Sequence, residues 1–235
     1  MKFLRETLAF RASIIFAVGV MAAVGAAPAA SATDIGPSER SELYEWYVER
    51  GVDPFTANGL VEGISQGQMP DSADENAHPI EVAVTQEDNW LVTTRTFADG
   101  SLTESRLEQP AVVVSGNIAP FSVGGCTGSS SGSGYINYYG CVVQQDAGYL
   151  VVNFRADYFR ASGGAGITQV HSPYAYALGG TAATPSLTIT SAYSSGSTPA
   201  KARASTVYVT ALTSKQVHLY LNVTSAQAWS TSTGF

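Results

Sequence analysis

The stretch YLVVNFRADYFR, residues 149–160, decides the fold. Leu150, Val152, Phe154, Ala156 and Tyr158 lie on one side of an extended chain, with Asn153, Arg155 and Asp157 on the other. Strict alternation over this length marks a strand with one face in a core and one in solvent. In a helix the same apolar residues would be scattered around the circumference.

Outward from this stretch, short runs of the same kind recur between clusters of Gly, Ser, Thr and Pro. They place further strands near 111–115, 135–144, 166–178, 186–193, 204–212 and 216–225, seven in all. That number at this spacing predicts an antiparallel β-sandwich. In the last two runs, Val207, Val209 and Ala211 form one apolar row, and Val217, Leu219, Leu221 and Val223 form another. Both rows turn inward if Thr213–Lys215 is a three-residue loop, which stacks Tyr208 on Tyr220 and Thr210 on His218 outside. Between the first two runs, Ser122–Gly134 is a Gly/Ser segment that reads as flexible.

Residues 33–109 read differently. Two amphipathic patterns open them, about Pro37–Arg50 with Leu43, Trp46 and Tyr47, and Pro54–Gly67 with Ala57, Leu60, Val61 and Ile64. Asp53 is placed to cap the second, Pro54 suits its first position, and Gly51 and Gly67 suit the left-handed stops. An acidic linker, Met69–Pro79, leads to strands at Glu81–Val84 and Trp90–Phe97. Asp99-Gly100 then signals a hairpin that pairs Phe97 with Leu102 and Arg95 with Glu104. The expected fold class is therefore mainly β: an antiparallel sandwich with a small N-terminal helical hairpin and a β-hairpin.

The first 32 residues say where the protein works. Lys2, Arg5 and Arg11 precede an apolar run, Ile14–Ala27, and Ala30-Ser31-Ala32 offers a small-residue cleavage site. This is the pattern of a secretory signal peptide cleaved near Ala32, and it predicts a secreted protein. The remaining chain carries nine basic and eighteen acidic residues. An acidic surface argues against nucleic acid, and no later apolar run is long enough to span a membrane. Residues 33–109 hold sixteen acids and four bases, whereas 110–235 hold two acids and five bases. That step predicts two modules meeting near Pro110, an acidic helical and hairpin module (33–109) and a sandwich domain (110–235). Cys126 and Cys141 are the only cysteines, and an even count in an exported chain predicts one disulfide in the sandwich domain.

Motifs with specific chemistry are weak. Gly63–Gly67 and Gly128–Gly132 both fit G-x-S-x-G, around Ser65 and Ser130. Neither follows a strand and opens a helix, as a nucleophile elbow requires. His78 sits near Asp71, Asp74 and Glu75, without the glycine and spacing of a calcium loop. No metal or cofactor is expected. The notable enrichment is tyrosine: ten of twelve lie after Pro110, among them Tyr135, Tyr138, Tyr139, Tyr174, Tyr176, Tyr208 and Tyr220. Exposed tyrosines suit sugar faces and protein partners, while buried ones are ordinary strand residues. The outer row Tyr208, Thr210, His218, Tyr220 and Asn222 is the candidate binding patch.

The Ala-rich leader, the short helical start, FADGS at Phe97–Ser101, the Gly/Ser loop with Cys126 and YYGC ending at Cys141 carry a resemblance. The chain resembles small secreted β-sandwich proteins of unknown function from high-GC Gram-positive bacteria (actinobacteria). The resemblance implies a secreted sandwich and transfers no catalytic residues. The expected function is non-catalytic binding of a cell-surface polysaccharide or another exported protein. Its rivals are a hydrolase built on His171 or His218 with Asp157, and a structural surface or matrix component.

Overall fold

The computed structural model describes residues 35–110 and 126–235. The leader and the strand expected at 111–115 lie outside those residues. Two helices come first, α1 (Pro37–Glu49) and α2 (Pro54–Ser65). Twelve strands follow: β1 (Glu81–Glu87), β2 (Trp90–Thr96), β3 (Leu102–Glu108), β4 (Gly128–Gly132), β5 (Tyr135–Asp146), β6 (Leu150–Ala161), β7 (Gly164–Ala177), β8 (Thr181–Ala182), β9 (Ser186–Ser191), β10 (Ala200–Val209), β11 (Ser214–Val223) and β12 (Ala228–Thr233).

All pairings are antiparallel and fall into two sheets. The larger runs β1-β2-β3-β5-β6-β7, with β4 beside the first half of β5; the smaller runs β12-β11-β10-β8, with β9 also on β10. They form the expected sandwich. Leu150, Val152, Phe154, Ala156 and Tyr158 of β6 join Val217, Leu219, Leu221 and Val223 of β11 in one buried core. At roughly 2 kcal/mol for each large apolar side chain, this shared layer is the main force holding the sheets together.

The helices form where their caps and stripes predict. Asp53 accepts hydrogen bonds from the Phe55 and Thr56 amides at 3.0 and 3.2 Å, and Gly51 ends the first helix at φ +83°. Leu43, Tyr47, Ala57, Val61 and Ile64 are buried in the same core cluster as the sheets. The hairpin thus plugs one end of the sandwich. Leu43 and Trp46 of α1 rest on the β5–β6 turn, where a Cβ on Gly148 would come within 2.8 Å of both side chains.

Four expectations need correction. Described residues from both sides of Pro110, Leu43 and Leu107 before it and Val143 and Leu219 after it, share one buried core, so the charge step there is not a seam in the packing. β3 continues directly into the sandwich through its pairing with β5, Glu104 opposite Asp146 and Leu107 opposite Val143. The Gly/Ser segment is not all flexible, because 128–132 pair with β5 from Gly128–Tyr139 to Gly132–Tyr135. The Asp99-Gly100 hairpin has a three-residue loop. Phe97 N–H donates to Ser101 O at 2.9 Å, Gly100 sits at φ +83°, and Arg95 faces Thr103 rather than Glu104. An extra αL residue after the tight turn shifts the register by one.

The fourth correction concerns the last hairpin. Thr210 and Thr213 close a four-residue loop, with Thr210 N–H donating to Thr213 O at 2.8 Å. Val209 then faces Ser214, Tyr208 faces Lys215, Ser205 faces His218 and Arg203 faces Tyr220. One loop residue more than expected flips β10 over. Ala200, Ala202, Ala204 and Tyr208 point inward, and Val207 is exposed.

Candidate functional site

The expected binding patch is divided by that flip. Tyr208 is buried, its hydroxyl donating to Leu178 O at 2.7 Å, and burial pushes its pKa up to about 12. Thr210 is buried in the loop, where its hydroxyl oxygen accepts the Leu212 and Thr213 amides at 3.3 and 3.1 Å. His218, Tyr220 and Asn222 do share the outer face of the smaller sheet, beside Ser205, Arg203 and Lys201 of β10. There Lys201 Nζ lies 4.8 Å from the Tyr220 ring centroid, and buried Asn222 donates to Thr231 Oγ1 at 3.2 Å. This face is built largely on internal contacts.

The other sheet presents a more open surface. Three rows of cross-strand partners run along the middle of its outer face. Arg106, Gln144, Asn153 and Tyr174 form the middle row across β3, β5, β6 and β7. Glu104, Asp146, Val151 and Tyr176 form the row beside it, and Val142, Arg155 and His171 the third. Tyr174 and Tyr176 alternate outward on β7 because Ala175 and Ala177 face the core. They are 52% and 38% exposed and stand about 7 Å apart, two residues along one strand.

Helix α1 walls off one side of this face. Trp46 donates its indole N–H to Asp146 Oδ2 at 3.3 Å, and the Arg50 guanidinium stacks 4.2 Å from the Trp46 ring centroid. Arg50 Nε and Arg106 Nη2 reach buried Glu104 at 3.1 and 2.7 Å. Burial raises the Asp146 pKa; the Gly148 amide, Arg50 and the Trp46 indole act against that. Desolvation, then Glu42 and Glu39 of α1, push up the Tyr176 hydroxyl. Glu104 and Asp146 are thus partnered by Arg50, Arg106 and Trp46 and covered, leaving Gln144, Asn153 and two tyrosine rings beside them. Planar amides and rigid aromatic faces side by side can hydrogen-bond hydroxyls while stacking on C–H surfaces. Tyr174 and Tyr176 were visible in the sequence as part of the tyrosine enrichment. Their grouping with Gln144 and Arg106 was not, because it depends on sheet order.

No family model, curated protein or solved structure matches this chain.

Of the other sequence candidates, Cys126 and Cys141 form the disulfide across the β4–β5 pair. Ser65 lies at the end of α2, its hydroxyl donating to Val61 O at 2.7 Å, and Ser130 lies in β4 near Tyr139. Asp157 accepts the Gly140 amide at 2.6 Å and supports the irregularity in β5. It is on the opposite sheet from His218. His171 contacts its neighbour Ser172 at 2.9 Å. In the linker near His78, Asp74 accepts from the Asn76 amide at 2.9 Å, and the Asp71 amide donates to Asp99 at 2.8 Å. Four of the ten tyrosines after Pro110, Tyr138, Tyr149, Tyr158 and Tyr208, belong to the core, where Tyr138 stacks on Tyr158 at 4.5 Å.

Proposed function

We propose that this chain is a secreted, non-catalytic binding protein that holds a polysaccharide on the outer face of its larger sheet. The observation that carries the reading is the pair of exposed rings, Tyr174 and Tyr176, beside the Arg106–Gln144–Asn153 row. Tyr174 and Tyr176 act as stacking platforms, and the two amides and Arg106 orient hydroxyls. The signal-peptide pattern and the disulfide support an extracellular setting. The test is a pull-down of the purified protein on isolated cell walls and insoluble polysaccharides. Retention lost in Tyr174→Ala/Tyr176→Ala but kept in Tyr220→Ala supports the reading. Retention that survives Tyr174→Ala/Tyr176→Ala, or is absent on every matrix, rejects it in favour of an exported protein partner.

A second reading rests on one contact. His218 Nδ1 lies 2.9 Å from Ser205 Oγ, and His218 lines a cleft of about 560 Å³ with Arg95, Phe97, Thr103 and Phe235. A nucleophilic serine next to a base is the core of a hydrolase site. Ester hydrolysis that disappears in both Ser205→Ala and His218→Ala, with unchanged melting, would place the activity there.

A further inference from the structure

We infer that β1 is a docking edge for an extended, basic segment of a partner polypeptide. Among the described strands β1 pairs only with β2, through seven residue pairs from Glu81–Thr96 to Glu87–Trp90. Among the described residues its other edge has no strand partner, and an open edge of N–H and C=O groups is the template that strand addition uses.

The side chains of β1 are open as well. Ile80, Val82 and Val84 are 70%, 55% and 62% exposed. Val84 aligns through Thr93 with Ser105, and Val82 aligns through Arg95 with Thr103. Ser105 bonds inward to buried Gln145, so this is the core-facing side of the sheet. The smaller sheet ends at β12, which packs against β3, and β1 extends past it. A β-branched row facing the core side of the sheet is thus left bare. Soluble proteins normally blunt such edges, and a long apolar one marks an interaction site.

Charge selects the occupant. Residues 71–88 hold Asp71, Asp74, Glu75, Glu81, Glu87 and Asp88 and no Lys or Arg. Nearby Arg95 is turned to Ser105 Oγ at 3.0 Å. A second copy centred on Val84 would set Glu81 of each chain against Glu87 of the other. Centred on Ala83, it would match Val82 with Val84 but still bring Glu81, Glu87 and Asp88 of both chains to one seam. A strand with apolar residues on one face and Lys or Arg on the other satisfies the backbone, the valine row and the acids together.

The test uses the intact protein and a labelled octapeptide of alternating lysine and valine, followed by fluorescence anisotropy. Binding is expected to the alternating peptide, with affinity reduced at least tenfold by Val82→Lys/Val84→Lys. Both substituted positions are exposed, so folding is preserved. The same loss is expected when alternate peptide amides are N-methylated, a change that leaves the protein untouched. Equal binding of a block peptide of four lysines then four valines, or of the N-methylated peptide, would show plain charge adhesion and overturn the proposal. Concentration-dependent dimerisation abolished by Val82→Lys/Val84→Lys would also overturn it, by naming a second copy as the occupant.

Discussion

Single residues set the exposed tyrosine face of the larger sheet and the pH response of the fold. Tyr174 and Tyr176 face outward only because the small Ala175 and Ala177 fill the core side of β7. Losing one stacked ring, worth roughly 1 kcal/mol, should weaken saccharide binding about fivefold without moving the melting temperature. Affinity electrophoresis in soluble polysaccharide measures this for Tyr174→Ala and Tyr176→Ala separately. His218 supplies the pH test. Burial first, and then Arg203, lower its pKa, while Glu75 acts in the other direction. In the window just below the ordinary value of about 6.5, the unfolded chain therefore holds more protons than the folded one. Stability must rise as pH climbs through that window and level off above it. His218→Asn should flatten this part of the slope in thermal melts between about pH 5 and pH 7.

At the scale of elements, the hairpins carry the register. The disulfide joins Cys126 to Cys141 across the β4–β5 pair, closing a loop of fifteen residues. Cys126→Ser/Cys141→Ser should cost about 3 kcal/mol of unfolding free energy, read from denaturant titration. Gly100 closes the β2–β3 hairpin at φ +83°, and a Cβ there would lie 2.5 Å from Thr56 Cγ2 of α2. Gly100→Ala should therefore cost about 1–3 kcal/mol through backbone strain, with a further penalty for displacing α2. Much at this scale was legible in the sequence. Alternation placed β5, β6 and β7, the Asp53 cap and Gly51 stop placed the helices, and cysteine parity gave the disulfide. The Ser/Gly strand β4 was not legible, since small residues have little strand propensity and are held there by pairing with β5 and by the disulfide.

For the whole molecule, helices and both sheets share one core. Leu43, Tyr47, Val61 and Ile64 are buried in the same cluster as Phe154 and Leu219. Thermal unfolding should therefore show a single transition, seen alike by helical and tyrosine signals, rather than separate melting of acidic and basic parts. Leu43→Ala should lower that one transition by about 2–5 kcal/mol, because the cavity it leaves lies against the β5–β6 turn. Two transitions in the calorimeter would contradict the shared core. The charge step near Pro110 is a property of the surface and says nothing about packing, which is why it misplaced the boundary.

The sequence by itself determined the fold class, the helix limits, the disulfide and the inward face of β6, because each rests on a local period or on a residue with one conformational use. Only the tertiary structure decided which face of β10 is buried and which surface stays open. Ala200, Ala202, Ala204 and Tyr208 on one parity and Val207 and Val209 on the other are both acceptable core rows. The Thr210–Thr213 loop and the fit against β11 choose between them. A one-residue change in a loop inverts a strand, and no periodicity within the strand records the length of the loop that follows it.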